Sequence, residues 1–154
     1  MKCTAIILAA GQGKRMKTKV QKQFLMLQGK PLLYYSLACF QKSDESQEIV
    51  VVTGKESIDY CRSEIIEKYG FTKVKSIAEG GKERYDSVYA GLEACSADTD
   101  YVFIHDGARP FVTEDIIKRT KEVAVTYQAC IAGMPSKDTV KIIDENNMVS
   151  ATPE

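Results

Sequence analysis

Gly11 and Gly13 end an apolar run, and five of the nine residues from Lys14 to Lys22 are Lys or Arg. Glycines let a backbone turn tightly and leave its N–H groups unobstructed. Like charges gathered in one loop repel one another unless counter-charge arrives, and a triphosphate is one such source. A plain tight turn and a solvated charged face are the alternatives, with Lys17 and Lys19 the clearest surface candidates. Ala9 and Ala10 are small enough for a nucleotide to approach the backbone, although a crowded strand end would also select them.

Two further clusters resemble the first in kind. "EGGKERYDS" offers Gly80, Gly81, Lys82, Arg84 and Ser87, and "HDGARP" offers Asp106 and Arg109. A lone carboxylate directly after the apolar run "YVFI" suits Mg²⁺, which takes one or two carboxylates together with phosphate oxygens. A helix cap, or an ion pair with Arg109, is the plainer role for Asp106. His105 points to the opposite side from Asp106 if the strand continues through it, and reads as structural.

The better-known phosphate loops do not fit. A dinucleotide fingerprint needs glycine at Met16 and an acidic residue at Thr53, which disfavours a dehydrogenase. A P-loop needs four residues between its glycines and Ser or Thr after the Lys, where this chain has one residue and Arg15.

The elements that must position these clusters follow from the apolar pattern. The runs "CTAIILAA", "EIVVVT", "KVKSIA", "YVFIHD" and "ACIAGM" read as strands. Between them lie helical spacings. Pro31 suits the first turn of a helix through Phe40. Thr53 to Glu56 reads as a capping box for a helix carrying Ile58, Cys61, Ile65 and Ile66. Ser87 to Cys95 forms a shorter helix. Thr113 caps another, with Ile116, Thr120, Val123 and Tyr127 on one face. Strands alternating with helices, and apolar throughout, predict an α/β fold: a Rossmann-like, mainly parallel sheet flanked by helices. Ligands of such sheets bind beyond the carboxyl ends of the strands, where all three clusters fall. The nucleotide-binding body is expected over 1–134. Residues 135–154 are expected to form a projecting β-hairpin arm with an Asn-Asn turn.

Composition narrows the classes. The chain has 154 residues, enough for one core, and its 21 basic and 21 acidic side chains cancel, which argues against nucleic acid as a partner. No apolar run reaches membrane-spanning length, and the amino-terminal run lacks a cleavage-type ending. Five scattered cysteines without a Cys-x-x-Cys pair read as reduced thiols of a cytoplasmic protein. A single histidine leaves no His-rich metal site or Ser/His triad within one chain.

The motifs "LAAGQGKRM", "KQF", "GGKERYDSV", "HDGARPFV" and "DTVK", in this order along the whole chain, resemble the 2-C-methyl-D-erythritol 4-phosphate cytidylyltransferase family. The resemblance implies a nucleotide-diphospho-sugar transferase type of fold. It also implies transfer of a cytidylyl group from CTP to the methylerythritol phosphate, with Mg²⁺ and release of pyrophosphate, in non-mevalonate isoprenoid synthesis. It assigns Arg15 and Lys22 to transition-state stabilisation, and the backbone of Gly11 and Gly13 to the triphosphate. Ala9, Ala10, Gly81 and Ser87 fall to cytosine recognition, and Asp106 and Arg109 to the surroundings of the metal and the acceptor. Asp138 and Thr139 fall on an arm that reaches a neighbouring subunit's site in a homodimer. Gln21 stands where the family usually has proline, and the family's closing elements beyond the arm are not in this sequence. The chain is therefore expected to bind CTP better than it turns it over. A cytidylyltransferase for another polyol phosphate, such as ribitol 5-phosphate, is the nearest rival; a silent CTP-binding module is another.

Overall fold

The computed structural model describes residues 1–11 and 20–153. Its centre is a four-stranded, all-parallel sheet in the order β5-β4-β1-β6: β1 is Cys3–Ala9, β4 Glu48–Thr53, β5 Val74–Glu79 and β6 Tyr101–Asp106. The two central strands are buried almost throughout, as their unbroken Ile, Val and Ala content predicts. β5 and β6 stand at the edges and are only partly covered; along β6 exposure alternates, and Val102 and Ile104 are open.

Side chains alternate across β1 and β4 and so build two cores. Ala5, Ile7, Ile49 and Val51 face helix α1 (Leu32–Lys42), through Leu33, Leu37 and Phe40, and helix α4 (Glu114–Tyr127), through Ile117. Ile6, Val50 and Val52 form the smaller core, which helix α3 (Arg84–Glu93) covers. Gly91 of α3 rests directly on Ile6, where any Cβ would collide with the Ile6 side chain, so glycine sets how closely this helix approaches.

Several expectations shift in detail. Pro31 sits one position before α1 as its N-cap, and with Lys30 forms β3, paired with β2 (Met26–Leu27). The predicted capping box at Thr53–Glu56 is absent. Thr53 completes β4 and donates to the Ala9 carbonyl, while Gly54 caps a short 3-10 turn, Lys55–Ser57. That turn runs on into α2 (Ile58–Tyr60) and a π-helical stretch, Cys61–Glu67, which bury Cys61 and Ile65 as the spacing requires. The capping box belongs instead to Glu83 and Asp86, and it starts α3 three residues earlier than Ser87. Thr113 does cap α4, its Oγ1 accepting from the Ile116 amide at 3.3 Å. The helix turns Ile117 inward, whereas Val123 and Tyr127 of the predicted face stay exposed.

"ACIAGM" is not a strand here. Residues 129–134 carry no ladder hydrogen bonds and are exposed, with Ile131 92% exposed. A groove of about 1070 Å³ lies between the outer edge of β6, α4 and Gln128–Ala132. Beyond it, β7 (Ile142–Ile143) and β8 (Val149–Ala151) form the predicted antiparallel hairpin. Asn147 takes the left-handed conformation of its turn.

Candidate functional site

The carboxyl ends of all four strands lie level. Ala9 is the register partner of Thr53, Thr53 of Glu79, and Leu8 of Asp106. The chain leaves β1, β5 and β6 through the three clusters, so residues some 70 to 100 positions apart meet at one end of the sheet.

After β5, the Gly80 amide donates to the Thr53 carbonyl at 2.8 Å, which lays Gly80 against Ala10 and Ser87. A Cβ on Gly80 would clash with the Ala10 side chain and stand 2.9 Å from Ser87 Oγ. Ala10 and Ser87, far apart along the chain, are thus neighbours. Gly81 sits against Asp86, whose carboxylate is engaged by the Glu83 amide in the capping box. Ser87 is buried, and its hydroxyl is bonded to the Glu83 carbonyl at 3.3 Å.

After β6, Asp106 stands between two cations. Arg84 reaches its Oδ1 with Nε at 3.2 Å and Nη2 at 3.0 Å, and Arg109 reaches its Oδ2 at 2.9 Å. The plainer role foreseen for Asp106 is therefore present, with a second arginine added. His105 turns to the other face, against the Phe40 ring and the Arg109 carbonyl at 3.1 Å. Burial pushes its pKa below the ordinary 6.5, more than the Arg109 carbonyl and the Asp106 charge raise it. It is structural, as its strand position implies.

After β1, Gly11 is exposed, and Lys22 is exposed in the 3-10 turn Lys22–Phe24. Gln23, the next residue of that turn, is buried against the Ala9 and Gly11 carbonyls. Gly13 and Arg15 lie outside the described residues. Asp138 and Thr139 are exposed on the arm; the Asp138 carbonyl accepts from Ser136 Oγ at 2.9 Å.

Two residues enter the site through contacts that the sequence did not show. Arg84 was visible as one more cation in "EGGKERYDS". Gln23 carries no charge and sits unremarked in "KQF". Among the described residues no cluster of three or more His, Cys, Asp and Glu side chains surrounds a metal position. Asp106 is a carboxylate that could join phosphate oxygens in holding a cation, and in the structure both of its oxygens are engaged by guanidinium groups.

An open parallel sheet flanked by helices, with glycines and cations gathered at its strand ends, defines a Rossmann-like α/β protein. Comparison with known proteins is more specific. The family model "IspD: 2-C-methyl-D-erythritol 4-phosphate cytidylyltransferase" matches residues 3–154, and the chain belongs to that family. The protein of that name from Lachnospira eligens is 48% identical over 98% of the chain, and one from Clostridium botulinum is 50% identical over 99%. The chain spans just under two thirds of the length of these relatives, 66% of each. The crystal structure of 4-diphosphocytidyl-2C-methyl-D-erythritol synthase from Anaerococcus prevotii superposes with a TM-score of 0.86 at 33% identity, covering 99% of this chain and 63% of that one. The Francisella tularensis cytidylyltransferase gives 0.74 at 29% identity, covering 100% of this chain and 66% of that one. No helix among the described residues is long and apolar enough to cross a membrane.

Proposed function

We propose that this chain carries the nucleotide site of a cytidylyltransferase that joins CTP to 2-C-methyl-D-erythritol 4-phosphate and releases pyrophosphate, a step of isoprenoid synthesis. One observation carries the reading: Ala9–Gly11, Lys22, Gly80–Ser87 and Asp106–Arg109 occupy the same end of one parallel sheet in a chain of this family.

In this reaction an oxygen of the acceptor's phosphate attacks the α-phosphorus of CTP in line. The bond to the oxygen bridging the α- and β-phosphorus breaks, and pyrophosphate leaves. Charge gathers on the equatorial oxygens, so catalysis is positioning and charge stabilisation. Lys22, exposed next to the Gln23 that bonds the Gly11 carbonyl, and Arg15, assigned on sequence alone, supply the positive charge there. Ala9, Ala10, Gly81 and Ser87 lie toward the base, Ser87 with its hydroxyl, while Gly80 lets Ala10 and Ser87 pack together at that corner. Arg109, oriented by Asp106, faces the acceptor. Mg²⁺, when bound with the triphosphate, neutralises phosphate charge, and Asp106 is the carboxylate available to it.

A homodimer formed through the arm is part of the same proposal, with Asp138 and Thr139 contributing to the partner's site. The apolar side chains exposed on the arm support it. All five cysteines are unpaired, which suits the cytoplasm.

The test is pyrophosphate release from CTP and the methylerythritol phosphate by wild type and Lys22→Ala. Loss of one such cation costs about 3 kcal/mol of transition-state stabilisation, roughly a hundredfold in rate. Equal rates in the two proteins remove Lys22 from the chemistry. Ribitol 5-phosphate as the faster acceptor replaces the substrate.

A further inference from the structure

Gln23 is 3% exposed, and its side-chain nitrogen lies 2.5 Å from the Ala9 carbonyl, 3.1 Å from the Gly11 carbonyl and 2.7 Å from Gln21 Oε1. Three oxygens around one atom fix it as the nitrogen end of the amide. Its two hydrogens are shared among them, with Gly11 the most distant. A polar group this deep is costly unless paired, so the arrangement persists only because the contacts are made. Ala9 and Gly11 belong to the chain leaving β1. Gln21 and Lys22 lie on the far side of residues 12–19. One buried side chain therefore ties together the two flanks of the basic glycine segment.

We infer that Gln23 is a positioning residue of the phosphate site. By gripping the Ala9 and Gly11 carbonyls it anchors the Lys22–Phe24 turn, and with it Lys22, at the carboxyl end of β1. Lys22 itself is exposed and has a long, flexible stem, so the place of its ammonium group depends on where its backbone is held. The inference rests on the nucleotide reading above and adds the residue that aims one of its cations.

The structure supplies its own control. The Ala9 carbonyl accepts a second hydrogen bond, from Thr53 Oγ1 at 3.3 Å, and Thr53 makes no hydrogen bond to Gly11 or Gln21. Removing either donor weakens the same buried carbonyl, but only Gln23 spans the two flanks.

The experiment compares Gln23→Leu and Thr53→Val with wild type in two measurements. The first is amide hydrogen exchange without nucleotide, read at Phe24 and Leu25, whose amides bond the Gln21 and Lys22 carbonyls at 2.9 and 3.2 Å. The second is CTP titration. Gln23→Leu is expected to speed exchange at both amides and weaken CTP binding, each about tenfold, the size of one or two lost hydrogen bonds. Thr53→Val is expected to stay within about threefold of wild type in both. Gln23→Met, an unbranched chain of similar length without a donor, must reproduce the effect and stands in if the leucine variant does not fold. Matching behaviour of the Gln23 and Thr53 variants overturns the inference, as does unchanged exchange at Phe24 and Leu25. If wild type binds no CTP, the nucleotide reading fails by itself. Exchange then decides whether Gln23 holds the flanks.

Discussion

Arg84 and Asp106, 22 positions apart, meet through two contacts on one carboxylate oxygen, Nε at 3.2 Å and Nη2 at 3.0 Å. The pairing joins the first turn of α3 to the end of β6, and Arg109 occupies the other oxygen. One carboxylate thus orients two guanidinium groups that are themselves 62% and 76% exposed. Each keeps donors free for an incoming phosphate, since a guanidinium carries five.

Asp106→Asn is therefore expected to act on substrate far more than on stability. Exposed ion pairs contribute about 0–1 kcal/mol, so the melting temperature moves little. Two cations lose the group that aligns them, and kcat/KM for the acceptor falls about tenfold or more, the loss of a charge-assisted contact. A stability loss with unchanged acceptor kinetics would show the cluster to be only a strut between α3 and β6.

Gly80→Ala tests the base end of the site. The added methyl group would press on Ala10 and on Ser87 Oγ. Overpacking of this kind costs about 1–3 kcal/mol of stability. The variant should also lose CTP affinity, because relief requires Ala10 and Ser87 to part. Isothermal titration and thermal melting read the two effects separately, and intact affinity at lowered stability would remove this corner from base recognition.

The helix-flanked parallel body was legible because its signals are local. Unbroken Ile-Val runs mark strands buried on both faces, and Thr113 before two acidic residues marks a helix start. Residues 129–134 misled for the complementary reason. Their composition suits a strand, but a strand exists only with a paired neighbour, and among the described residues they have none. At the site, the meeting of the Gly80–Ser87 and Asp106–Arg109 segments at one end of the sheet was legible from position. The engagement of Arg84 with Asp106 was not, because it depends on how α3 crosses the sheet, set in part by Gly91 against Ile6. Gln23 was hidden because a neutral amide acquires its role only from the carbonyls folded around it.

His105 should make stability depend on pH. Burial against Phe40 lowers its folded pKa from the ordinary 6.5, so the unfolded chain takes up the proton first as pH falls. Stability from this group is full above 6.5 and declines below it, as protonation favours the unfolded state. His105→Gln removes the titrating ring. Its melting temperature should therefore fall less than that of wild type between pH 7.5 and 5.5. Parallel pH profiles of the two proteins would place the acid sensitivity elsewhere.

The arm has too little of its own to hold it together. β7 and β8 pair only Ile142 with Ala151 and Ile143 with Val149, and a two-stranded hairpin alone in water is marginal. Ile142, Ile143, Met148 and Val149 are 51–66% exposed, apolar on both faces of the ribbon. Full burial of such a side chain yields about 1.5–3 kcal/mol, and covering one already half-buried yields about half of that, so several together are enough to drive association. A second copy of the chain is the partner proposed above, and wild type is then expected to sediment as a dimer at micromolar concentration. Ile143→Lys with Val149→Lys places two like charges across one non-local pair and should yield monomers whose circular dichroism is unchanged, since neither residue touches the sheet core. Wild type that sediments as a monomer at every concentration would leave the arm without the partner assigned to it. Dimers that persist in the double variant would move the contact to another surface, with the open edge of β6 and its exposed Val102 and Ile104 the next to be charged.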